Sequence, residues 1–309
     1  MIVTCDKCNT RYNLNDGLIK NKSVFKARCS KCNNKFKVYV DPETDVDLLP
    51  EHIVQVDQDT TITISNQKGG VAKTSTCLNL GISLSMLGKK VLLIDFDVQA
   101  NLTISLGYQP HFASFFDILQ ADAGDISDYI HTTRYSGVSL LASNSRMALL
   151  TKQFMHEPDF EFLLRNRLAS LSGQYDYILI DTPPALDFCT LNALIASHYV
   201  IIPTPCEYLS MHGIQKIEDI IKVVRARTGR KIDYRILITM HDAQSIAAQV
   251  IFEKISNMFE EKVLHTVIEL DQRMKESQIL HLPVSIYEKE SSSSLQYQQL
   301  AGEIVELTA

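Results

Sequence analysis

The sequence predicts an α/β chain: a wound, mostly parallel sheet flanked by helices, with a small separate module ahead of it. Three observations carry this. Apolar runs of four or five residues recur between residues 61 and 240, several ending in a carboxylate; the stretches between them space their apolar residues helically; and the first 40 residues hold four of the 7 cysteines in two tight pairs. Continuous apolar runs of that length mark strands buried on both faces of a parallel sheet, and their alternation with helices is the pattern of crossover connections.

At 309 residues and 45% hydrophobic content the chain can bury one large domain and an appendage. No stretch reaches the roughly 18 uninterrupted apolar residues of a membrane span, and the acidic Asp6 stands where an export signal carries positive charge. A globular, cytoplasmic protein is expected. Residues 1–40 hold nine Lys and Arg against two acids, and residues 41–60 hold seven acids and no Lys or Arg. These shifts divide the chain into a module (1–40), an acidic linker (41–60) that self-repels into an extended tether, and a domain (61–309).

In the module, Cys5-x2-Cys8 and Cys29-x2-Cys32 lie 20 residues apart. That spacing lets two tight turns offer four thiolates to one tetrahedral Zn²⁺, and a redox dithiol would leave the second pair unexplained. Tyr12 and Phe36 each follow the second cysteine of a pair by four positions and are expected to cover the metal. So short a segment has little core, so zinc would supply most of its folding free energy. The block resembles the short zinc-ribbon at the N-terminus of assorted bacterial proteins. Lys20, Lys22, Lys26, Arg28, Lys31, Lys35 and Lys37 offer either a nucleic-acid-facing surface or a solvated face of a protein-docking or structural ribbon.

The domain opens with Thr61–Ser65, which alternates as a strand, then Lys68-Gly69-Gly70-Val71-Ala72-Lys73-Thr74-Ser75, then a helical stretch from Thr74 to Leu87 ended by Gly88. Strand, glycine loop and helix aim backbone N–H groups and the positive end of a helix dipole at phosphate oxygens. Lys73 would reach the β and γ phosphates of a nucleotide, and the Thr74 hydroxyl would bind Mg²⁺. The usual glycines are replaced by Gln67 and Ala72; the alanine fits if its φ is negative. A second apolar run, Val91–Ile94, ends in Asp95-Phe96-Asp97, and a third, Tyr177–Ile180, ends in Asp181-Thr182-Pro183-Pro184. Asp181 reads as the carboxylate that holds Mg²⁺ through a water.

The loop resembles the variant KGGxxKT of the ParA/MinD family of ATPases, and Asp95–Asn101 is similar to that family's Asp-x-Asp-Pro-Gln-x-Asn with Val98 for proline. Later segments, Tyr199–Tyr208 and Arg235–Asp242, extend the resemblance over residues 61–307. It implies that ATP is held between two subunits, with Lys68 of each reaching the other's phosphates. It also implies that Asp97 polarises the attacking water, that Asp95 orders the loop and the Mg²⁺ shell, and that a cargo-bound partner stimulates slow hydrolysis. The expected function is positioning or segregation of a plasmid, chromosome locus or protein complex. The alternative is a zinc-ribbon regulator that uses ATP occupancy to gate nucleic-acid or protein contacts with little turnover.

Relatives of the ParA branch bind DNA without sequence preference, which implies DNA as a partner and association with the nucleoid. Lys216, Lys222, Arg225, Arg227, Arg230, Lys231 and Arg235 form a basic cluster suited to phosphate contacts, or else a solvated helix face. Gln244 and Leu270 stand where the family often has arginines, and Arg273 is retained. The tail, Ser291–Ala309, holds Glu303 and Glu306 and no Lys or Arg, so a membrane is not an expected partner. Its Leu295, Leu300, Ile304 and Leu307 are expected to pack a terminal helix on the sheet.

Overall fold

The computed structural model describes residues 2–4, 11–13, 24–32, 34–39, 59–121 and 125–309. The chain divides into two compact units, Met1–Val54 and Gln55–Ala309. In the first, β1 (Ile2–Thr4) pairs antiparallel with β2 (Arg11–Asn13), and β3 (Val24–Arg28) with β4 (Lys35–Tyr39). Terminal pairs Thr4↔Arg11 and Arg28↔Lys35 leave the same six-residue connection in each hairpin. Each Cys-x2-Cys occupies the first and fourth places of that connection. Cys5, Cys8, Lys20 and Lys22 lie outside the described residues, as does the linker up to residue 58.

The second unit holds an eight-stranded sheet built from β5 (Thr60–Ile64), β6 (Val91–Asp95), β7 (Ile130–Thr132), β8 (Val138–Leu141), β9 (Tyr177–Asp181), β10 (Tyr199–Pro205), β11 (Asp233–His241) and β12 (Val263–Glu269). The spatial order is β12-β11-β10-β5-β9-β6-β8-β7, parallel throughout except for the β7–β8 edge. The chain steps from β5 past the β9 position to β6 and β8, returns through β9, and continues on the other side of β5. That reversal places β5 at the switch point, where ligands bind beyond the carboxyl ends of the strands.

Alternating strand residues feed different cores, which is why these runs contain no polar alternation. Val91, Leu93, Tyr177 and Leu179 join one cluster, while Leu92, Ile94, Ile178 and Ile180 join the cluster on the opposite face. Helix α1 (Lys73–Met86) lies on the first face so closely that a Cβ at Gly81 would come 2.6 Å from Leu93. It stops at Gly88, whose φ of +79° suits glycine and whose N–H bonds Ser85 O at 2.9 Å.

Short helices follow: α2 (Asn101–Ser105), α3 (Phe115–Gln120), α4 (Leu149–Phe154) and α5 (Leu163–Leu168). After them come α6 (Phe188–Ala196), α7 (Ser210–Thr228), α8 (Ile246–Phe259), α9 (Gln272–Ile279), α10 (Val284–Tyr287) and α11 (Ser292–Thr308). Ile214, Ile217, Ile221 and Val224 line the buried face of α7, as their spacing predicts. In α11 the packing differs from expectation. Leu300 and Ile304 are buried and Leu307 half-buried, but Leu295 is 45% exposed, and Tyr297 takes the inward place with its hydroxyl 3.3 Å from Thr76 Oγ1. Residue 297 lies one helical turn before Ala301 and Leu300, and 295 points away.

Glu303 of α11 has a backbone role: its carboxylate accepts the N–H groups of His265 (2.7 Å) and Thr266 (2.9 Å) on the edge strand β12, while Gln296 Oε1 accepts from Glu269 N at 2.9 Å. These side chains occupy donors that an open sheet edge would present to another chain.

Candidate functional site

Residues 65–72 connect β5 to α1 at the switch point, and residues 69–75 line a cavity of about 620 Å³ together with Asp97, Gln99, Pro184 and Met240. The connection is stitched to three neighbouring strands. Asn66 Nδ2 donates to Pro203 O (2.8 Å) while its Oδ1 accepts Lys68 N (3.0 Å), Thr182 Oγ1 donates to Ile64 O (2.9 Å), and Thr239 Oγ1 donates to Val71 O (3.2 Å). Gly69, Gly70, Val71, Ala72, Thr74 and Ser75 all front the cavity. Ala72, the residue before α1, has φ +69° and ψ +28°. The expectation of a negative φ is therefore corrected: the turn needs the left-handed region here, and an alanine occupies a conformation that glycine adopts freely.

Lys73 is buried and donates to Lys68 O at 2.9 Å, folding its amine over the loop. Burial lowers its pKa, and Asp181 and Asp97 push it back up. Thr74 Oγ1 donates to Asp181 Oδ2 at 2.7 Å, and the other carboxylate oxygen, Oδ1, is buried with no hydrogen-bond partner. Burial, then repulsion from Asp95, raises Asp181 well above the usual carboxylate range.

Asp95 faces away from the loop: its Oδ2 accepts the N–H (2.8 Å) and hydroxyl (2.7 Å) of Thr103 on α2, and burial pushes it up to about 6 against those bonds. Asp97 fronts the cavity, its Oδ1 accepting Gln99 N at 3.0 Å and its carbonyl accepting Ser143 Oγ at 2.6 Å. Thus Lys73, Thr74 and Asp97 line one cavity, Asp181 lies buried behind Thr74 and bonded to its hydroxyl, and Asp95 anchors the segment that carries Asp97.

Lys68 points elsewhere. Its amine pairs with Glu207 in the loop after β10, and both side chains are substantially exposed. Nearby loops expose Tyr208 (84%), Leu209 (59%) and Leu186 (49%).

The far wall of the cavity comes from Ile268, Leu270, Asp271, Met274, Gln278, Ser293 and Tyr297. Gln278 Nε2 reaches Ser75 Oγ at 2.8 Å. Nothing in the local sequence marks these residues; their only signal is the helical spacing of Ser293 and Tyr297 with the core positions of α11. Leu270, noted as replacing an arginine, is one of them.

Most of the basic cluster is engaged within the fold. Arg225 Nε donates to Ile232 O at 2.7 Å, Arg227 pairs with the buried Glu161, and Arg230 donates to Ile195 O at 3.2 Å. Arg235 and Lys262 both pair with Asp233 at 2.7 Å, Lys222 lies 3.2 Å from Asp219, and Arg273 lies 2.8 Å from Glu276. No helix among the described residues is long and apolar enough to cross a membrane.

In the first unit, Cys29 is buried and accepts the Cys32 N–H on its sulfur at 3.4 Å. The two cysteines thus share one turn closed on the Cys29 sulfur, which is compatible with half of a tetrahedral thiolate site. Among the described residues no cluster of three or more metal-ligating side chains forms, and the second cysteine pair lies outside them.

Comparison with known proteins agrees with this geometry. The model of an AAA domain matches residues 59–236 and that of a zinc-ribbon domain residues 1–37. The chromosome-partitioning ATPase Soj of Treponema pallidum is 34% identical over 246 residues, covering 79% of this chain and 96% of that protein. Cobyrinic acid a,c-diamide synthase from Mycobacterium smegmatis, solved with bound ADP and magnesium, superposes with a TM-score of 0.70 at 29% identity, covering 80% of this chain and 94% of that one. The cell division ATPase MinD of Pyrococcus furiosus gives a TM-score of 0.66 at 25% identity, covering 80% and 99%. With its glycine turn between β5 and α1, its carboxylates at the ends of β6 and β9 and these relatives, the chain belongs to the ParA/MinD family of P-loop ATPases.

Proposed function

We propose that this ATPase positions or segregates a cargo by cycling between an ATP-bound dimer and an ADP-bound monomer, with a cargo-bound partner setting the rate of hydrolysis. The observation that carries the reading is the Thr74–Asp181 pair: the hydroxyl of the cavity-lining Thr74 is bonded to a buried carboxylate whose other oxygen has no partner, close to the buried Lys73 amine. That donor set fits Mg²⁺ and the β and γ phosphates of ATP. The metal would neutralise phosphate charge. Thr74 and Asp181 would hold it, Lys73 and the N–H groups of residues 69–75 would bind the phosphates, and Asp97 would orient the attacking water.

The placement of Lys68 supports the dimer. Its amine turns away from the chain's own cavity towards a rim carrying exposed Leu186, Tyr208 and Leu209, where a second copy would bury apolar area and present its phosphates. Loss of the γ-phosphate removes the anion that two such lysines share, so the interface weakens after hydrolysis. Cys5, Cys8, Cys29 and Cys32 would hold one Zn²⁺ in the first unit. The chromosome-partitioning names of relatives favour DNA as the surface on which the cycle runs. The internal pairing of the α7 cations leaves Lys216 and Lys231 as its main contact candidates among the described residues of that cluster.

The test is light scattering with MgATP or a non-cleavable analogue, alongside phosphate release. Lys68→Gln should abolish nucleotide-dependent dimers while changing MgADP affinity less than about threefold, and Lys73→Ala should lose nucleotide binding itself. A wild-type chain that stays monomeric with the analogue would refute the dimer cycle. One bound zinc per chain, lost in Cys29→Ser, is expected by metal analysis, and a zinc-free folded ribbon would refute the metal assignment.

A further inference from the structure

The second hairpin of the first unit carries a charge pattern that its fold does not require. Its register sets Lys26 directly opposite Lys37 and Arg28 opposite Lys35, with Val24 opposite Tyr39 at the end away from the turn. Successive residues of a strand alternate between faces, so these six positions share one face of the ribbon, and Phe25, Ala27, Phe36 and Val38 share the other. The cationic positions therefore form a two-by-two array, about 5 Å apart across the strands and about 6.7 Å apart along them. Like charges set directly opposite each other destabilise a strand pair.

The first hairpin is an internal control. Both hairpins have the same connection, with Cys-x2-Cys at the same places, so their strand positions correspond one to one. Ile2, Thr4, Arg11 and Asn13 stand where the second hairpin has Lys26, Arg28, Lys35 and Lys37. On the other face the correspondence holds in kind, with Val3 and Tyr12 for Ala27 and Phe36. A single cation serves the first hairpin, so neither the strand pairing nor the cysteine turn calls for the array. Charge balance for a cysteine-bound metal would apply to both hairpins alike. What the array matches is a dense, regular polyanion: a DNA duplex presents one phosphate charge per about 1.7 Å of its axis, and each cation seated on it releases condensed counterions. The face holds no Asn, Gln, Asp or Glu to read base edges. The rival within the chain is the acidic segment with Asp41, Glu43, Asp45 and Asp47, which lacks the counterion release that favours DNA.

We infer that the face of the β3–β4 hairpin bearing Lys26, Arg28, Lys35 and Lys37 is a DNA-binding site in its own right, gripping the duplex backbone without reading its sequence. The inference rests on DNA as the surface of the cycle proposed above. These residues belong to the unit that does not hold the phosphate turn, so their contact persists when ATP has become ADP. The ribbon then keeps a weak hold on DNA while the ATPase domain cycles.

The experiment uses the full chain and fluorescence anisotropy on labelled duplexes of unrelated sequence, in MgADP and with a non-cleavable ATP analogue, over a range of salt. One variant combines Lys26→Gln, Arg28→Gln and Lys37→Gln; a second, Lys26→Arg with Lys37→Arg, keeps the charge; a third, Lys216→Gln with Lys231→Gln, addresses α7. The neutralised variant should bind about tenfold to a hundredfold more weakly at about 0.1 M salt in both nucleotide states, with a log–log salt slope shallower by about 3. The arginine variant should bind as the wild type does, and both should keep the wild-type zinc content. An unchanged affinity and slope in the neutralised variant overturns the inference and leaves DNA to the α7 cations, whose own variant then carries the loss. Zinc lost along with DNA binding also overturns it, by making the array structural. Equally tight binding of polyglutamate of matching charge overturns it in favour of an acidic protein. DNA binding that emerges only on Asp41→Asn, Glu43→Gln, Asp45→Asn and Asp47→Asn overturns it in favour of the chain's own acidic segment. A wild type that binds no duplex in either state, with the acidic segment intact or neutralised, would instead refute DNA as the surface of the cycle.

Discussion

Replacing Ala72 by glycine should make the protein more stable. Glycine usually weakens a helix terminus or loop through its freedom in the unfolded chain, at about 0.5–1 kcal/mol. Here the native backbone reverses the sign. At φ +69° and ψ +28° the alanine Cβ crowds the following carbonyl, a cost of about 1–2 kcal/mol that glycine does not carry. The residue also sits at the cap of α1 with no side-chain hydrogen bond, where glycine is the better of the two. The net expectation is a gain of about 0.5–1 kcal/mol, or about 1–4 °C in melting temperature for a unit of this size.

Urea unfolding of wild type, Ala72→Gly and Ala72→Val, with and without MgADP, checks it. The midpoint should rise for glycine with the slope unchanged, and fall for valine, whose branched side chain tolerates this region least. MgADP affinity should hold or tighten in the glycine variant, because the turn then reaches its phosphate-binding shape without strain. A glycine variant destabilised by about 1 kcal/mol, the ordinary cost of glycine for alanine at a helix start, would show that Ala72 is not left-handed.

Two further outcomes follow from buried or bonded carboxylates. Asp95, pushed up to about 6 by burial, prefers its proton in the folded state. Its stabilising share is complete below about pH 4 and is lost as pH rises through 6, on the order of 3 kcal/mol. The stability difference between wild type and Asp95→Asn should shift by that order between pH 4 and 7.5 in denaturant titrations, and parallel profiles would refute the assignment. Glu303→Ala strips the acceptor from His265 N and Thr266 N and should cost about 1–2 kcal/mol. Glu303→Gln should recover about half of it, and amide exchange at residues 265 and 266 should accelerate in the alanine variant; unchanged exchange would show the bonds to be dispensable.

The sheet and the phosphate turn were legible because their signals are local. Val91–Asp95 and Tyr177–Asp181 announce buried parallel strands by lacking alternation, and the turn declares itself by two glycines and two lysines within six residues. What escaped is tertiary. Gln278 meets Ser75 across 203 residues of sequence, and no spacing rule connects them. The basic stretch around α7 looked like a free surface because charge patterning does not show that Glu161 and the carbonyls of Ile195 and Ile232 wait for those arginines. Ala72 misled for a related reason: a side chain that avoids positive φ by itself is held there by strands on either side of it.

The bonds from Asn66, Thr182 and Thr239 make the glycine turn the hub of a stiff frame rather than a flexible flap. The turn is held by the ends of β10 and β11 through Pro203 O and Thr239, and the end of β5 that feeds it is held by Thr182, so the sheet itself resists a shift there. The outer loops that continue those strands therefore share one mechanical anchor.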